Sequence, residues 1–182
     1  MKVVFNILGS DCIDAIIMFL TVVVTIVIYV TQKRNERRNA ARIIVMQIDI
    51  INHRVDKLDR TIGLDVSKID TDKFWQSDNI IETNEWEIYR HLFVKKLDYS
   101  EIRSMSTFYS NVISIYDQQQ EIKGIIANAS KTNAFGEKSE HSDEGRIRVP
   151  NLFAMTIRMQ YERIVESRLA VPYEKLRKIA RM

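Results

Sequence analysis

Sixteen consecutive residues without a charge, AIIMFLTVVVTIVIYV at positions 15–30, constrain the fold of this chain more than any other feature. Ile, Val, Leu and Phe fill eleven of these positions, which favours insertion into a membrane by roughly 3 to 7 kcal/mol. We predict a transmembrane helix over 13–31, close to the length of about twenty residues that a spanning helix needs. A short extracytoplasmic N terminus, 1–12, precedes it, and Ser10 or Asp11 is the expected N-cap.

The charges that flank the apolar run predict its orientation. Lys2 precedes it, and five cations follow it directly: Lys33, Arg34, Arg37, Arg38 and Arg42. A cleaved signal peptide fits poorly, because the positive charge follows the run and no small-residue cleavage site comes after it. The positive-inside rule predicts a single-pass protein of the inner (cytoplasmic) membrane, with the N terminus outside and the C-terminal domain in the cytoplasm. We expect the five cations to contact anionic lipid headgroups.

The net charge of +3 is unevenly distributed. Residues 33–42 carry five cations against Glu36, and residues 172–182 carry four cations against Glu174. The body between these two segments is net acidic, which argues against a broad nucleic-acid surface. We therefore expect membrane lipid as a partner and no direct binding of nucleic acid.

A heptad stripe defines a juxtamembrane helix over 32–63. Apolar residues recur at alternating steps of three and four, a pattern typical of a helix with one buried face. The stripe comprises Ala41, Ile44, Ile48, Ile51, Val55, Leu58 and Ile62. Since neither Gly nor Pro occurs between Ala15 and Ile62, the membrane helix is expected to continue to a C-cap at Gly63. The stripe can pack within one bundle or between copies of the chain.

The remaining residues, 64–182, predict a cytoplasmic helical bundle. No segment alternates at a period of two, so the fold class is all-α: a membrane helix joined to an antiparallel bundle. The expected elements are a polar connector over 64–78, a helix over 79–97, a helix with Ser100 as its N-cap, an exposed mobile loop over 130–146, a helix over 150–170, and a short terminal helix after Pro172.

The sequence lacks the motifs of enzymes and metalloproteins. No phosphate loop, dinucleotide fingerprint or Cys/His metal spacing is present, so we expect no catalytic residue, metal or cofactor. His53 is expected on an exposed face, His141 in the mobile loop, and His91 as a partly buried structural residue. Trp75 and Trp86 are expected to pack in the bundle, with an interface as the alternative.

A polar stripe runs along one face of the predicted span. It comprises Asp14, Met18, Thr21, Thr25, Ile28 and Gln32. Threonine hydroxyls bond their own helix at little cost, so the stripe can be incidental. Alternatively it faces copies of itself, as an interhelix contact or the wall of a pore. The second interpretation predicts a homo-oligomer larger than a dimer.

This layout resembles the single-pass membrane accessory proteins of type VI-B CRISPR systems, in which one N-terminal membrane helix precedes a cytoplasmic helical domain related to HEPN folds. The resemblance covers the whole chain. It implies a HEPN-like antiparallel bundle and a pore of several copies that depolarises the host during phage infection, with an RNA-guided RNase acting upstream. HEPN ribonucleases carry an Arg followed by about four to six residues and then a His, and none of the three histidines here has an Arg at that spacing.

Three functions are compatible with the sequence. The first is a homo-oligomeric inner-membrane pore or effector in antiviral defence. The second is a membrane-tethered adaptor that binds another protein without conducting ions. The third is a degenerate HEPN-type RNase, which the missing Arg–His spacing disfavours.

A topology assay tests the predicted orientation. A reporter fused after Met182 should be active only as a cytoplasmic reporter, because five cations follow the span and one precedes it. The same cytoplasmic reporter placed before Lys2 serves as the control and should be inactive, because that end is predicted to lie outside. Periplasmic activity of the C-terminal fusion would contradict every membrane mechanism above.

Overall fold

The computed structural model describes the backbone of residues 2–62, 71–134 and 169–181, and the side chains of 14–60, 73–128 and 169–181. Within these ranges the chain is helical and contains no strand, as the all-α prediction requires. The elements are α1 (Lys2–Ile62), α2 (Thr71–Trp75), α3 (Glu85–Tyr89), a 3₁₀ turn (Arg90–Leu92), α4 (Tyr99–Ala134) and α5 (Ala170–Arg181).

Helix α1 is unbroken over 61 residues, about 90 Å at 1.5 Å per residue. The predicted continuity of the apolar segment with the heptad helix is confirmed as far as Ile62, and Gly63 lies outside the described residues. The predicted N-caps are wrong. Ser10 and Asp11 lie inside the helix, which begins at Lys2 because no proline interrupts the largely apolar residues before them.

The first half of α1 is long and apolar enough to cross a membrane. Its most apolar window of 18 residues has a mean hydropathy of 2.4, and none of that window is buried against the rest of the chain. The large apolar side chains from Ile16 to Val30 are all exposed. A continuous apolar surface of this size requires a bilayer or another protein to cover it.

The second half of α1 contributes one face to the core. Six residues of the predicted stripe are at most 2% exposed: Ala41, Ile44, Ile48, Ile51, Val55 and Leu58. The side chain of Ile62 lies outside the described residues. The stripe packs inside its own chain, most extensively against α5 and also against α2 and α3. Burial of each Ile or Leu favours folding by about 1.5 to 3 kcal/mol, so this face contributes much of the apolar burial in the bundle.

Two polar contacts define the direction of α5. The Tyr173 hydroxyl donates to Asp49 at 2.8 Å, and Arg38 Nε donates to the Ala180 carbonyl at 3.3 Å. Because later residues of α5 contact earlier residues of α1, the two helices are antiparallel. Helix α5 therefore ends where the exposed apolar segment of α1 enters the bundle. We call this end of the bundle the base.

Helix α4 begins at the base with a capping box. Asp98 Oδ1 accepts from the Glu101 N–H at 2.9 Å, and the Asp98 N–H donates to the Glu101 carboxylate at 2.9 Å. Glu101 is buried and forms an ion pair with Lys175 of α5. The predicted cap, Ser100, is wrong, because it lies in the first turn and its hydroxyl donates to Asp98 at 2.7 Å. The Ser100 hydroxyl and the Glu101 N–H lower the pKa of the Asp98 carboxyl.

The segment between α2 and α4 departs most from expectation. The single helix predicted over 79–97 is wrong, since the chain stays non-helical until Asn84, the N-cap of α3. Two side-chain amides replace the missing helical hydrogen bonds. Gln119 accepts from the Ile80 N–H at 3.3 Å, and Gln47 accepts from the first N–H of α3 at 3.3 Å. These contacts between distant residues outweigh the local helical pattern.

Pro172 was predicted to precede the short terminal helix, but it lies within that helix, α5. Pro172 lies buried in the first turn of α5, where a backbone N–H needs no intrahelical partner. The Tyr173 N–H makes the first such bond, to the Leu169 carbonyl at 2.9 Å. The helix predicted over 150–170 lies mostly outside the described residues.

The predicted loop and connector also include helical residues. Helix α4 continues through Gly124 to Ala134, so the first residues of the loop predicted over 130–146 are helical. The rest of that loop lies outside the described residues. The connector predicted over 64–78 includes α2, whose Phe74 is fully buried, and its residues before α2 lie outside the described residues.

Removal of the α4 cap should destabilise the bundle. Asp98→Ala should lower the midpoint of thermal unfolding of the full chain in mild detergent by about 2 to 4 °C, as expected for a lost N-cap. Ser100→Ala is the matched control and should have a smaller effect. Folding lowers the pKa of the Asp98 carboxyl. The ionised carboxylate therefore stabilises the folded chain fully above the unfolded-state pKa of about 4, and this stabilisation is lost as the pH falls through the lower, folded-state pKa. Equal destabilisation by both variants at pH 7 would contradict the assignment of the cap.

Candidate functional site

A groove lies at the base, between the end of the exposed apolar segment and the bundle. Its volume is about 610 Å³, which is within the range of small-molecule sites. Three parts of the chain line it: α1, the connection before α4, and α5. We call it the basic groove, and its lining side chains are Tyr29, Val30, Lys33, Arg34, Arg37, Arg38, Lys96, Lys175, Lys178 and Ile179.

The C terminus of α5 is held at the groove by two arginines. Arg38 Nε donates to the Ala180 carbonyl and its Nη2 to the Arg181 carbonyl, each at 3.3 Å. Arg42 Nε donates to the same Ala180 carbonyl at 3.0 Å. Guanidinium groups at a helix C terminus satisfy unpaired carbonyls and complement the helix dipole. These contacts bring Lys178, in the last turn of α5, beside α1.

The charge of the groove is unbalanced. Seven of its ten lining residues are cationic and none is acidic. Among these cations, Lys175 alone forms an ion pair with a carboxylate in the described part of the chain, that of Glu101. Lys33 donates to the Tyr29 hydroxyl at 3.1 Å. Arg37 Nε is buried and has no hydrogen-bond partner among the described residues. A concave surface with such a charge attracts anions.

The predicted headgroup contacts divide into two groups. Lys33, Arg34, Arg37 and Arg38 line the groove, whereas Arg42 lies one turn further along α1, bonded to α5. Three lining cations were not predicted, namely Lys96, Lys175 and Lys178. The basic C-terminal segment was a signal for the last two, but nothing in the sequence placed them beside α1.

The polar stripe of the predicted span has no partner among the described residues. All six of its side chains are exposed: Asp14, Met18, Thr21, Thr25, Ile28 and Gln32. The Thr21 hydroxyl donates to the Ile17 carbonyl at 2.8 Å, and the Thr25 hydroxyl donates to the Thr21 carbonyl at 2.8 Å. Both hydroxyl protons are thus bonded within the helix, as is common for threonine in membrane helices.

The histidines do not converge on a site. His53 is exposed, as predicted, and His141 lies outside the described residues. The prediction that His91 is partly buried is wrong: its ring is exposed, with Nδ1 3.1 Å from the Ile88 carbonyl. The described residues contain no group of three or more His, Cys, Asp or Glu able to hold a metal ion.

The two tryptophans differ in their environment. Trp86 is buried, stacks on Phe93 with ring centroids 6.5 Å apart, and donates from Nε1 to the Ser106 hydroxyl at 3.1 Å. The packing role predicted for it is confirmed. Trp75, at the end of α2, is 47% exposed and does not belong to the buried core.

Comparisons with known proteins give this chain no family. No protein-family model, no curated protein and no solved structure matches it. The resemblance to CRISPR accessory proteins and the HEPN-like arrangement therefore stay predictions. The geometry of the base and of the apolar segment is what bears on function.

Proposed function

We propose that this chain is a membrane-tethered adaptor: a single-pass protein of the cytoplasmic membrane whose bundle binds a protein partner in the cytoplasm. The observation that carries the proposal is the position of the basic groove, where the apolar segment of α1 enters the bundle. Lys33 follows Val30 by less than one helical turn. In a bilayer, the base would therefore lie at the level of the anionic headgroups.

Two contacts inside the chain favour a tether over a pore. The heptad stripe, from Ala41 to Leu58, is buried by the chain's own helices, so the bundle does not need a second copy to cover it. The hydroxyl protons of Thr21 and Thr25 are bonded to their own helix, so they do not need a neighbouring span. The heptad stripe and the two threonines were the features compatible with an oligomer, and neither of them requires one.

Exposed apolar side chains on the bundle offer area for a partner. Met46 is 58% exposed and Ile50 is 40% exposed. They lie one turn apart on α1, on the face opposite the buried stripe. Apolar side chains rimmed by polar residues are typical of protein contacts, and Asp49 and His53 beside them are exposed.

The mass of the full chain in mild detergent tests the adaptor proposal. Light scattering corrected for bound detergent should give one or two copies, since the bundle buries its own heptad stripe. The Ile48→Glu, Ile51→Glu variant should unfold rather than dissociate, because both residues lie in the core of one chain. A stable ring of many copies would contradict the tether.

A second candidate function is a homo-oligomeric pore that permeabilises or depolarises the membrane. It is favoured by the polar stripe from Asp14 to Gln32, which lies on one face of a helix with no partner among the described residues. Polar groups inside a bilayer usually face other helices or water, and several copies would enclose the stripe. The resemblance to CRISPR accessory proteins would then imply antiviral defence downstream of an RNA-guided RNase.

A leakage assay separates the two candidates. Liposomes that contain the full chain should leak no more than protein-free liposomes if it is a tether. The pore predicts leakage that Thr21→Val with Thr25→Val abolishes, because a narrow apolar passage loses its water. The matched control, Val23→Thr with Val27→Thr, moves the hydroxyls about 200° around the helix and should preserve leakage. That pattern would overturn the tether in favour of the pore.

A further inference from the structure

We infer that the basic groove is a binding site for one anionic glycerophospholipid per chain. The phosphate lies among the groove cations, and the acyl chains follow the apolar segment of α1 into the bilayer. The inference rests on the membrane placement of the proposed function. It adds a defined ligand and a fixed stoichiometry to the general attraction between juxtamembrane cations and a membrane surface.

The groove matches an amphipathic ligand in its layout. Two of its three apolar side chains, Tyr29 and Val30, are each 58% exposed and belong to the last turns of the apolar segment. The cations begin at Lys33, about 4.5 Å further along the helix axis. A glycerophospholipid is arranged in the same way, with apolar acyl chains on one side of its glycerol and a charged phosphate on the other. A free phosphate would leave the apolar wall uncovered.

The donors in the groove suit a phosphate. Arg34 and Arg37 offer planar guanidinium groups, which bind phosphate oxygens through paired hydrogen bonds. Arg37 Nε is buried without a hydrogen-bond partner among the described residues. Contact with the groove is therefore left to the terminal guanidinium nitrogens of Arg37. A zwitterionic headgroup would add a cation to a groove that has no acidic lining residue to receive it.

Three of the cations, Lys96, Lys175 and Lys178, come from the bundle and not from the membrane flank. Lys96 precedes α4 and Lys178 lies in the last turn of α5, yet both line the same groove as Lys33. A simple belt of positive charge would surround α1 on all sides. Here the cations converge on one space of about 610 Å³ between α1 and the bundle.

Native mass spectrometry of the full chain tests the site. The protein is purified in neutral detergent and mixed with equimolar phosphatidylglycerol and phosphatidylcholine, and retained lipid is counted. We expect one phosphatidylglycerol per chain, and about thirtyfold weaker binding in Lys96→Gln with Lys178→Gln, since two attractive charges are lost. Lys96→Arg with Lys178→Arg should retain the lipid. The matched control is Lys95→Gln with Arg181→Gln, an equal charge change at exposed cations of the base that do not line the groove.

Three outcomes would overturn the inference: equal loss in both glutamine pairs, retention of phosphatidylcholine as readily as phosphatidylglycerol, or displacement of the lipid by an excess of inorganic phosphate. The first would mean general electrostatic attraction, the second a site that does not select charge, and the third a site for free anions. Circular dichroism of each variant checks its fold. The glutamine variants should keep the topology and mass of the wild type, so failure of the lipid site leaves the tether proposal standing.

Discussion

The burial of one face of α1 is the contact on which the rest of the structure depends. From Ala41 to Leu58 that face lies in the core, and α5 packs along it in the opposite direction. The same helix continues without a break into the exposed apolar segment. Because a helix with no proline bends only gently, the packing of the bundle and the direction of the apolar segment are set by one rigid element.

The parts of the fold that were predictable are those with regular periodicity. Steps of three and four from Ala41 to Leu58 identified the buried face, and the absence of breakers predicted a continuous helix. The segment 79–97 carries a similar apolar pattern but folds differently, because Gln47 and Gln119 bond its backbone across 38 and 39 residues. Periodicity within a window does not register a hydrogen bond to a residue outside it. For this reason the non-helical stretch before α3 was missed.

The basic groove was half predictable for a similar reason. The four lining cations of α1 follow the apolar run directly, so the sequence indicates them and the positive-inside rule explains them. Lys96 and Lys178 reach the groove through tertiary contacts, and α5 packs against α1 across a long separation in sequence: Tyr173 and Asp49, which share a hydrogen bond, are 124 positions apart. The sequence did not decide whether the hydroxyls of the polar stripe bond their own helix or face a neighbour, because this depends on side-chain rotamers and not on spacing.

The continuity of α1 makes the molecule a lever. About 30 residues of the helix extend beyond Lys33, some 45 Å of rigid arm, with no glycine or proline to act as a hinge. In a bilayer, a spanning helix changes its tilt to match local hydrocarbon thickness. A change of about 10° would then displace the far end of the arm by about 8 Å. Bilayer thickness would thus be converted into a movement of the bundle's distal end, on the scale of a side chain.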